Sequence, residues 1–406
     1  IKRTGPSIEP QHENMAQSDR LLCFLLGITA IAVLKVLLHD AHVLEHHDVQ
    51  HVGRPFLPIV EEDVESVLKF ITMKDGLDKD ANEGKRDTGA HDSIDAANPQ
   101  SPILPLDKII SRASGGKKAE KSVLDRLPSV EEVAALYGTN GPVIHGTETC
   151  AAFRRDVPLR RRIVAPAGMF NTGTNLMSSL LRSNCVLPHE KNPQGGMNWH
   201  VPWGKHNPVS WRFHNVAHAA GKGVAQGDVL PVVTIKDPYS WFGSMCRHSY
   251  AANWPHQKKC PSLVNGGGNA VPVKVRFSGN ANGTVAYESL ADVWNTWYNN
   301  YKNVKFPRLI VRFEDLLYRP EEVIRASCRC AGGDFLPDKK GKTFQYVTSS
   351  AKGATGAHSG ASGLESALIM YSNSTKRTLG FDKADMTHAR NKLDHDLMKY
   401  FHYTEP

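Results

Sequence analysis

The sequence predicts an α/β fold, a P-loop-like parallel sheet flanked by helices, carried behind an N-terminal membrane anchor and stem. Three observations predict it. From about residue 160 onward, β-rich runs alternate with helical patterns, as in strands joined by crossover helices. One of those runs, RRRIVAPAG at 160–168, leads directly into AGMFNTGTNLMSSLL, where Gly168 and Gly173 stand five apart before an apolar helical stretch. Near the N-terminus a single apolar run, residues 21–38, approaches the length needed to cross a bilayer.

Taken in order, residues 1–20 read as a short cytosolic tail. LLCFLLGITAIAVLKVLL, 21–38, reads as an uncleaved signal anchor, because no small-x-small cleavage site follows its apolar core. Lys2, Arg3 and Arg20 precede it, the orientation that leaves the remainder in a lumen. HDAHVLEHHDVQH follows with five histidines. His42 and His46, and His47 and His51, have the i, i+4 spacing of shared metal ligands, but no open scaffold or catalytic carboxylate is evident, and the run is read as a polar, solvated stalk rather than a metal site. Residues 39–125 are expected to be a flexible stem, polar above all between Lys74 and Lys121. The folded domain is expected over 126–406, opening with a capping box of Ser129 and Glu132.

Within that domain, VLPVVTIKDP (229–238) reads as a buried strand followed by the helix YSWFGSMCRHSY. SLADVWNTWYNNY (289–301) places Leu290, Val293, Trp294, Trp297 and Tyr301 at helical spacing. PRLIVRFEDLL (307–317) reads as a further strand, RPEEVIRASCRCAG as a helix from Pro320, and NKLDHDLMKYFHY as a closing amphipathic helix. Ligands of such sheets sit at the carboxyl ends of the strands, which is where the glycine loop falls.

Charge sharpens this reading. The chain carries a formal +8, and its 40% hydrophobic and 22% charged content is that of an ordinary soluble globular protein. Between Arg160 and Cys260, however, twelve Lys and Arg face only Glu190, Asp228 and Asp237, a local +9. The positive field belongs to the segment that holds the glycine loop and favours an anionic ligand, with a merely basic face as the alternative. Backbone N–H groups of such a loop, backed by a helix N-terminus, surround phosphate. The nucleotide-binding pattern G-x-x-x-x-G-K-[ST] is incomplete here: Thr174 replaces the lysine and Asn175 the Mg²⁺-binding hydroxyl. The seven cysteines show no zinc-ligand spacing. With Cys23 in the apolar run, six could pair in an oxidising lumen or stay as buried thiols, and Cys246 with Cys260, flanking a loop, is the first pair to test.

Three stretches, in order, resemble the sulfotransferases that use 3′-phosphoadenosine-5′-phosphosulfate (PAPS), in particular their membrane-anchored Golgi branch. NTGTNL (171–176) is similar to the family's 5′-phosphosulfate loop, with Thr172, Gly173 and Thr174 matching. Lys236-Asp237-Pro238 resembles the strand-end R-D-P, and Ser244 falls eight residues after Lys236, as does the family's 3′-phosphate serine. VRFEDLLYRPEEV resembles the strand ending in R-[YF]-E-D-L. The resemblance covers about residues 160–406. It implies cofactor contacts from Asn171, Thr172, Gly173, Thr174, Asn175, Lys236 and Ser244, and from Lys352 and Gly353, which resemble part of an R-K-G loop whose arginine is here Ala351. Two further departures stand out: Asn171 replaces a common Arg or Lys, and lysine replaces arginine at 236, which keeps a point charge but loses bidentate recognition.

His206-Asn207-Pro208 resembles the H-x-P part of the cytosolic members' K-x-H-x-P, which implies His206 as general base and Lys205 as the cation for the transferring group. Glu190 is the runner-up base, since other branches use glutamate, and His200 lies close by. Trp199, Trp203 and Trp211 either stack on an acceptor or belong to the core. Glu314 and Asp315 are read as a structural strand-end pair. A sulfuryl group carries less charge than a phosphoryl group, so no metal is required by electrostatics. The expectation is a single-pass type II Golgi enzyme with a lumenal domain, of the EC 2.8.2 type. It would transfer the sulfuryl group of PAPS to a hydroxyl or amine of a glycan or other secretory acceptor, without nucleic acid. A P-loop kinase or nucleotide hydrolase, and a non-catalytic relative that binds PAPS or a glycan, are the alternatives. Sequons at Asn282 and Asn373 would permit glycosylation in a lumen.

Overall fold

The structure, a computed structural model, describes residues 103–189, 195–213, 223–256, 258–277, 284–349 and 363–406. The expected tail, anchor and histidine run lie outside the described residues, as do Glu190, Ala351, Lys352, Gly353 and the sequon asparagine Asn282. Among the described residues no helix is long and apolar enough to cross a membrane.

The chain is a mixed α/β protein. Its main sheet contains β1 (Ile144–His145), β2 (Ile163–Gly168), β3 (Val229–Ile235) and β4 (Leu309–Arg312), in the spatial order β1-β4-β3-β2. Strands β2, β3 and β4 are parallel, as expected, with Gly168 opposite Thr234 and Ile235 opposite Arg312. The edge strand β1 runs antiparallel to β4, so the sheet is mixed where an all-parallel one was expected. Two-residue β1 carries no pattern that sequence could reveal. Every residue of β2 and β3 is buried, which is why both read as unbroken apolar runs: a sheet covered on both faces has no polar side.

Alternate residues feed two cores. On one face Val164, Val232 and Val311 meet Met177 and Leu181 of α1 (Thr174–Asn184). On the other, Ala167, Val233 and Ile310 meet Trp241 and Phe242 of α2 (Pro238–Arg247) and Trp294, Trp297 and Tyr301 of α3 (Leu290–Lys302). The aromatic stripe of α3 is thus core. A separate antiparallel sheet joins Ala252–Asn253, Val273–Arg276 and Thr284–Tyr287.

The strand expected over 307–317 stops at Arg312. Residues Phe313–Tyr318 form a helical turn, α4, followed by α5 (Pro320–Cys330). The reason lies in the buried charges. Helical geometry lets Asp315 reach back three residues to the Arg312 guanidinium, Oδ2 to Nε 2.7 Å and Oδ1 to Nη2 2.9 Å, while Asp315 Oδ2 also accepts from Val143 N at 2.9 Å. An extended chain would point the two side chains to opposite faces. The closing helix also divides: Asp394, whose carboxylate accepts from Leu397 N at 2.9 Å, caps a new helix, His395–Tyr400, behind Lys383–Lys392. At the other end, Leu106–Ala113 is a helix inside the stretch expected to be stem. Leu106, Ile109 and Ile110 are buried in the second core while Lys108 and Arg112 face outward, a spacing that the polar average conceals. The capping box forms as expected, with Ser129 N donating to Glu132 at 2.7 Å and Glu132 N to Ser129 Oγ at 3.1 Å.

All six cysteines of the folded region are paired. Cys150–Cys330 and Cys185–Cys328 staple the segments flanking β2 and α1 to α5, and Cys246–Cys260 closes the loop behind α2, the pair singled out from sequence.

Candidate functional site

The parallel register brings the ends of β2 and β3 to one level, and Asn171, Thr172, Gly173, Asn175, Lys205, His206, Lys236 and Ser244 lie around it. After Gly168 the chain turns through Asn171, at φ 63°, and Gly173, at φ 80°, into α1. Both glycines are required by close approach. A Cβ on Gly168 would lie 2.4 Å from Thr234 Oγ1, and one on Gly173 would lie 2.4 Å from Phe313 Cδ2. Gly173 also adopts the left-handed backbone that a side chain disfavours. Among the described residues the N–H groups of Thr172, Gly173, Thr174 and Asn175 meet no acceptor within the protein, as at any helix N-terminus prepared for an anion.

The polar residues of this loop divide into two roles. Thr172 is buried and donates to Met169 O at 2.7 Å, with Thr234 Oγ1 3.1 Å away, so its hydroxyl fastens the loop to β3. Asn171 turns its amide to His248 O at 2.8 Å and to Met245 Sδ at 3.2 Å. That grip holds its left-handed backbone and ties the loop to the end of α2. Asn175, in the first turn of α1, accepts from Lys205 Nζ at 2.5 Å.

Lys205 and His206 reach the loop because residues 196–205 run alongside β2. Val164 N donates to Gly196 O at 2.9 Å, Asn198 N to Val164 O at 3.0 Å, and Val201 N to Pro166 O at 3.1 Å. Gly168 N then donates to Lys205 O at 2.7 Å. The outer edge of β2 thus carries the Lys205-His206 dipeptide to the carboxyl end of the sheet. His206 Nδ1 lies 2.7 Å from Gly168 O. A carbonyl only accepts, so Nδ1 carries the hydrogen and the neutral ring has its lone pair on Nε2. The Phe170 ring, 4.7 Å away centroid to centroid, and Trp297 Nε1, donating to His206 O at 3.2 Å, contribute to its seat. His200, the nearby alternative, has Nδ1 2.7 Å from Val201 O.

The three tryptophans separate. Trp203 is fully buried and donates from Nε1 to Tyr301 Oη at 2.8 Å, and Trp211 packs against the same core. Trp199 is exposed, with Arg182 5.7 Å and Lys205 5.8 Å from its ring centroid.

At the end of β3, Lys236 is 1% exposed, and its Nζ donates to Ser244 Oγ at 2.9 Å and approaches Asn171 O at 3.5 Å. The ammonium lies between two rings, 4.4 Å from the centroid of Phe313 and 3.8 Å from that of Tyr371 on α6 (Leu364–Tyr371). Burial pushes the Lys236 pKa below the ordinary lysine value. Among the described residues no carboxylate lies within ion-pair distance of it. The neighbouring Asp237 is committed elsewhere: it accepts from Ser240 N at 2.9 Å as helix cap and pairs with Arg377 at 2.5 Å. Glu314 is committed too, accepting from Asp237 N at 3.0 Å and bonded to Tyr403 Oη at 2.9 Å. The Glu314-Asp315 pair thus holds backbone and buried arginine.

Sequence reasoning missed the company of Lys236. Arg247 Nη2 donates to Ser244 Oγ at 3.1 Å and lies 3.4 Å from Tyr371 Oη. Its position one helical turn after Ser244 was a usable signal; Tyr371 and Phe313 arrive from distant elements and gave none. Comparison with known proteins finds no family model, no curated protein and no solved structure that matches this chain.

Proposed function

We propose that the chain is a PAPS-dependent sulfotransferase with a P-loop-like core, acting on a hydroxyl or amine of a glycan or other acceptor in the secretory pathway. The observation that carries the reading is the contact between Lys236 Nζ and Ser244 Oγ, 2.9 Å, beside the glycine loop. A buried ammonium with no carboxylate partner among the described residues, a hydroxyl, and a turn of N–H groups with no acceptor among those residues would suit two adjoining anions, and PAPS has two anionic ends. The donor set fits: Gly173, Thr174 and Asn175 offer backbone N–H groups at the positive end of α1 to the phosphosulfate, and Lys236 with Ser244 offers a charge-assisted contact to the ribose 3′-phosphate.

PAPS supplies the sulfuryl group as an activated anhydride. In this reading His206 takes the acceptor's proton at Nε2, the nitrogen left basic by the hydrogen bond from Nδ1 to Gly168 O. Lys205, fixed by Asn175, places a cation at the mouth of the loop and takes over the role left open by Asn171, whose amide is used to shape the turn. Lys205 and the α1 N-terminus then stabilise charge where it develops. The kinase alternative is disfavoured by the commitment of Asp237 and Glu314 to protein partners and by Thr174 in place of the phosphate-binding lysine. Three disulfides fit an oxidising lumen, in keeping with the proposed Golgi location and with residues 21–38 as anchor.

The test is transfer of radiolabelled sulfuryl from PAPS to pooled secretory glycans and glycoproteins by the full chain and by His206→Ala. Transfer by the wild type that disappears in the variant, with binding of the product nucleotide unchanged, is the expected result. Undiminished transfer in the variant would remove the base role from His206.

A further inference from the structure

Lys236 and Ser244 alone make a poor reader of a phosphate dianion. A lysine is a point charge without the planar fork that grips two oxygens at once, and this one is buried. The structure adds a second cation. Arg247 is exposed at the last residue of α2, one turn beyond Ser244, and shares that residue's hydroxyl with Lys236: Arg247 Nη2 stands 3.1 Å and Lys236 Nζ 2.9 Å from the same Oγ. Two positive groups directed at one oxygen repel each other. Among the described residues neither has a carboxylate within ion-pair distance. The group that answers them is a phenol: Tyr371 Oη is 3.4 Å from Arg247 Nη2. Burial raises the Tyr371 pKa, but Lys236 and Arg247 outweigh burial and hold it below the ordinary tyrosine value. The cluster therefore has an excess of positive charge around a small polar focus.

Arg247 is also held in place. The adjacent Cys246 is bonded to Cys260, and the next carbonyl, His248 O, accepts from Asn171 of the glycine loop at 2.8 Å. The backbone that carries Arg247 is thus tied to the glycine loop, and its guanidinium is directed by the bonds to Ser244 and Tyr371.

We infer that Arg247, braced by Tyr371, is the guanidinium that reads the ribose 3′-phosphate and sets the preference for a 3′-phosphorylated nucleotide over a plain 5′-nucleotide. The inference rests on the reading of Lys236 and Ser244 as the 3′-phosphate site. It also accounts for how lysine is tolerated at 236: the bidentate group comes from the following helix.

The experiment is calorimetric titration of the full chain with adenosine 3′,5′-bisphosphate and with adenosine 5′-monophosphate, in wild type, Arg247→Gln and Tyr371→Phe. Loss of one charge-assisted contact predicts that Arg247→Gln binds the bisphosphate about tenfold more weakly, with monophosphate affinity unchanged. Tyr371→Phe, which keeps the ring against Lys236, should lose roughly threefold in the same direction, the scale of one neutral hydrogen bond. Full wild-type preference for the bisphosphate in Arg247→Gln would overturn the assignment while leaving Lys236 and Ser244 as the phosphate site. A wild type that does not prefer the bisphosphate would overturn the underlying reading, and this inference with it.

Discussion

Glu314 is fully buried, and replacing it with glutamine tests whether it serves structure or acid–base chemistry. Burial above all, with the charge of nearby Asp237 adding to it, pushes its pKa from 4.5 up to about 7. One pKa unit corresponds to about 1.4 kcal/mol, so the rise is worth on the order of 3 kcal/mol. Because the folded value lies above the unfolded one, the protonated carboxyl contributes its stability fully below about pH 4.5. That contribution drains away as pH rises towards about 7 and is gone above it. Glutamine keeps the shape, can accept from Asp237 N and can bond Tyr403 Oη, but does not titrate. Urea unfolding of wild type and Glu314→Gln, repeated at intervals from pH 4.5 to 7.5, should show the wild type losing on the order of 3 kcal/mol relative to the variant. The variant should be the more stable protein at the upper end, where the wild type carries a buried charge. Parallel stability curves across that range would refute the reasoning.

Other consequences can be measured with the same material. Gly173→Ala introduces a Cβ 2.4 Å from Phe313 Cδ2 at a backbone φ of 80°; the left-handed backbone alone costs about 1–2 kcal/mol. Displacing Phe313, whose ring also faces Lys236, should lower the melting temperature and abolish bisphosphate binding. Binding at wild-type affinity would contradict the assignment of the loop. Replacing Cys185 and Cys328 together with serine removes the staple between the end of α1 and α5 and should cost roughly 2–4 kcal/mol in denaturant titration. An unchanged midpoint would mean that the two cysteines are not bonded.

Much of this architecture was legible in the sequence because its signals were local. A buried strand covered on both faces reads as a continuous apolar run, and Ile163–Gly168 and Val229–Ile235 did so. The glycine spacing located the loop, the Ser129–Glu132 box located a helix start, and Pro320 marked the start of α5. What stayed hidden depended on distant partners. The turn at Phe313–Tyr318 exists because Asp315 must reach Arg312 and Val143 N, an arrangement invisible in a run of β-prone residues. The break at Asp394 needed its cap to be recognised inside an amphipathic pattern. Leu106–Ala113 was masked by the polar residues around it. At the candidate site, Lys236, Ser244 and His206 were singled out through the resemblance of their stretches to family motifs, whereas the rings that enclose Lys236 come from residues 313 and 371 and have no sequence signature. Asn171 is expected to contact the cofactor; its amide also holds the turn, a role that only the positions of His248 and Met245 reveal.

In the proposed function, the glycine loop and the Lys236–Ser244 contact together bind a 3′-phosphorylated adenine nucleotide. Calorimetric titration of the full chain with adenosine 3′,5′-bisphosphate, set beside ATP with Mg²⁺, tests it most directly. Saturable binding of the bisphosphate that exceeds binding of ATP with Mg²⁺, and persists when a chelator is present, is the predicted result. Binding of ATP with Mg²⁺ alone, or of neither nucleotide, would contradict it.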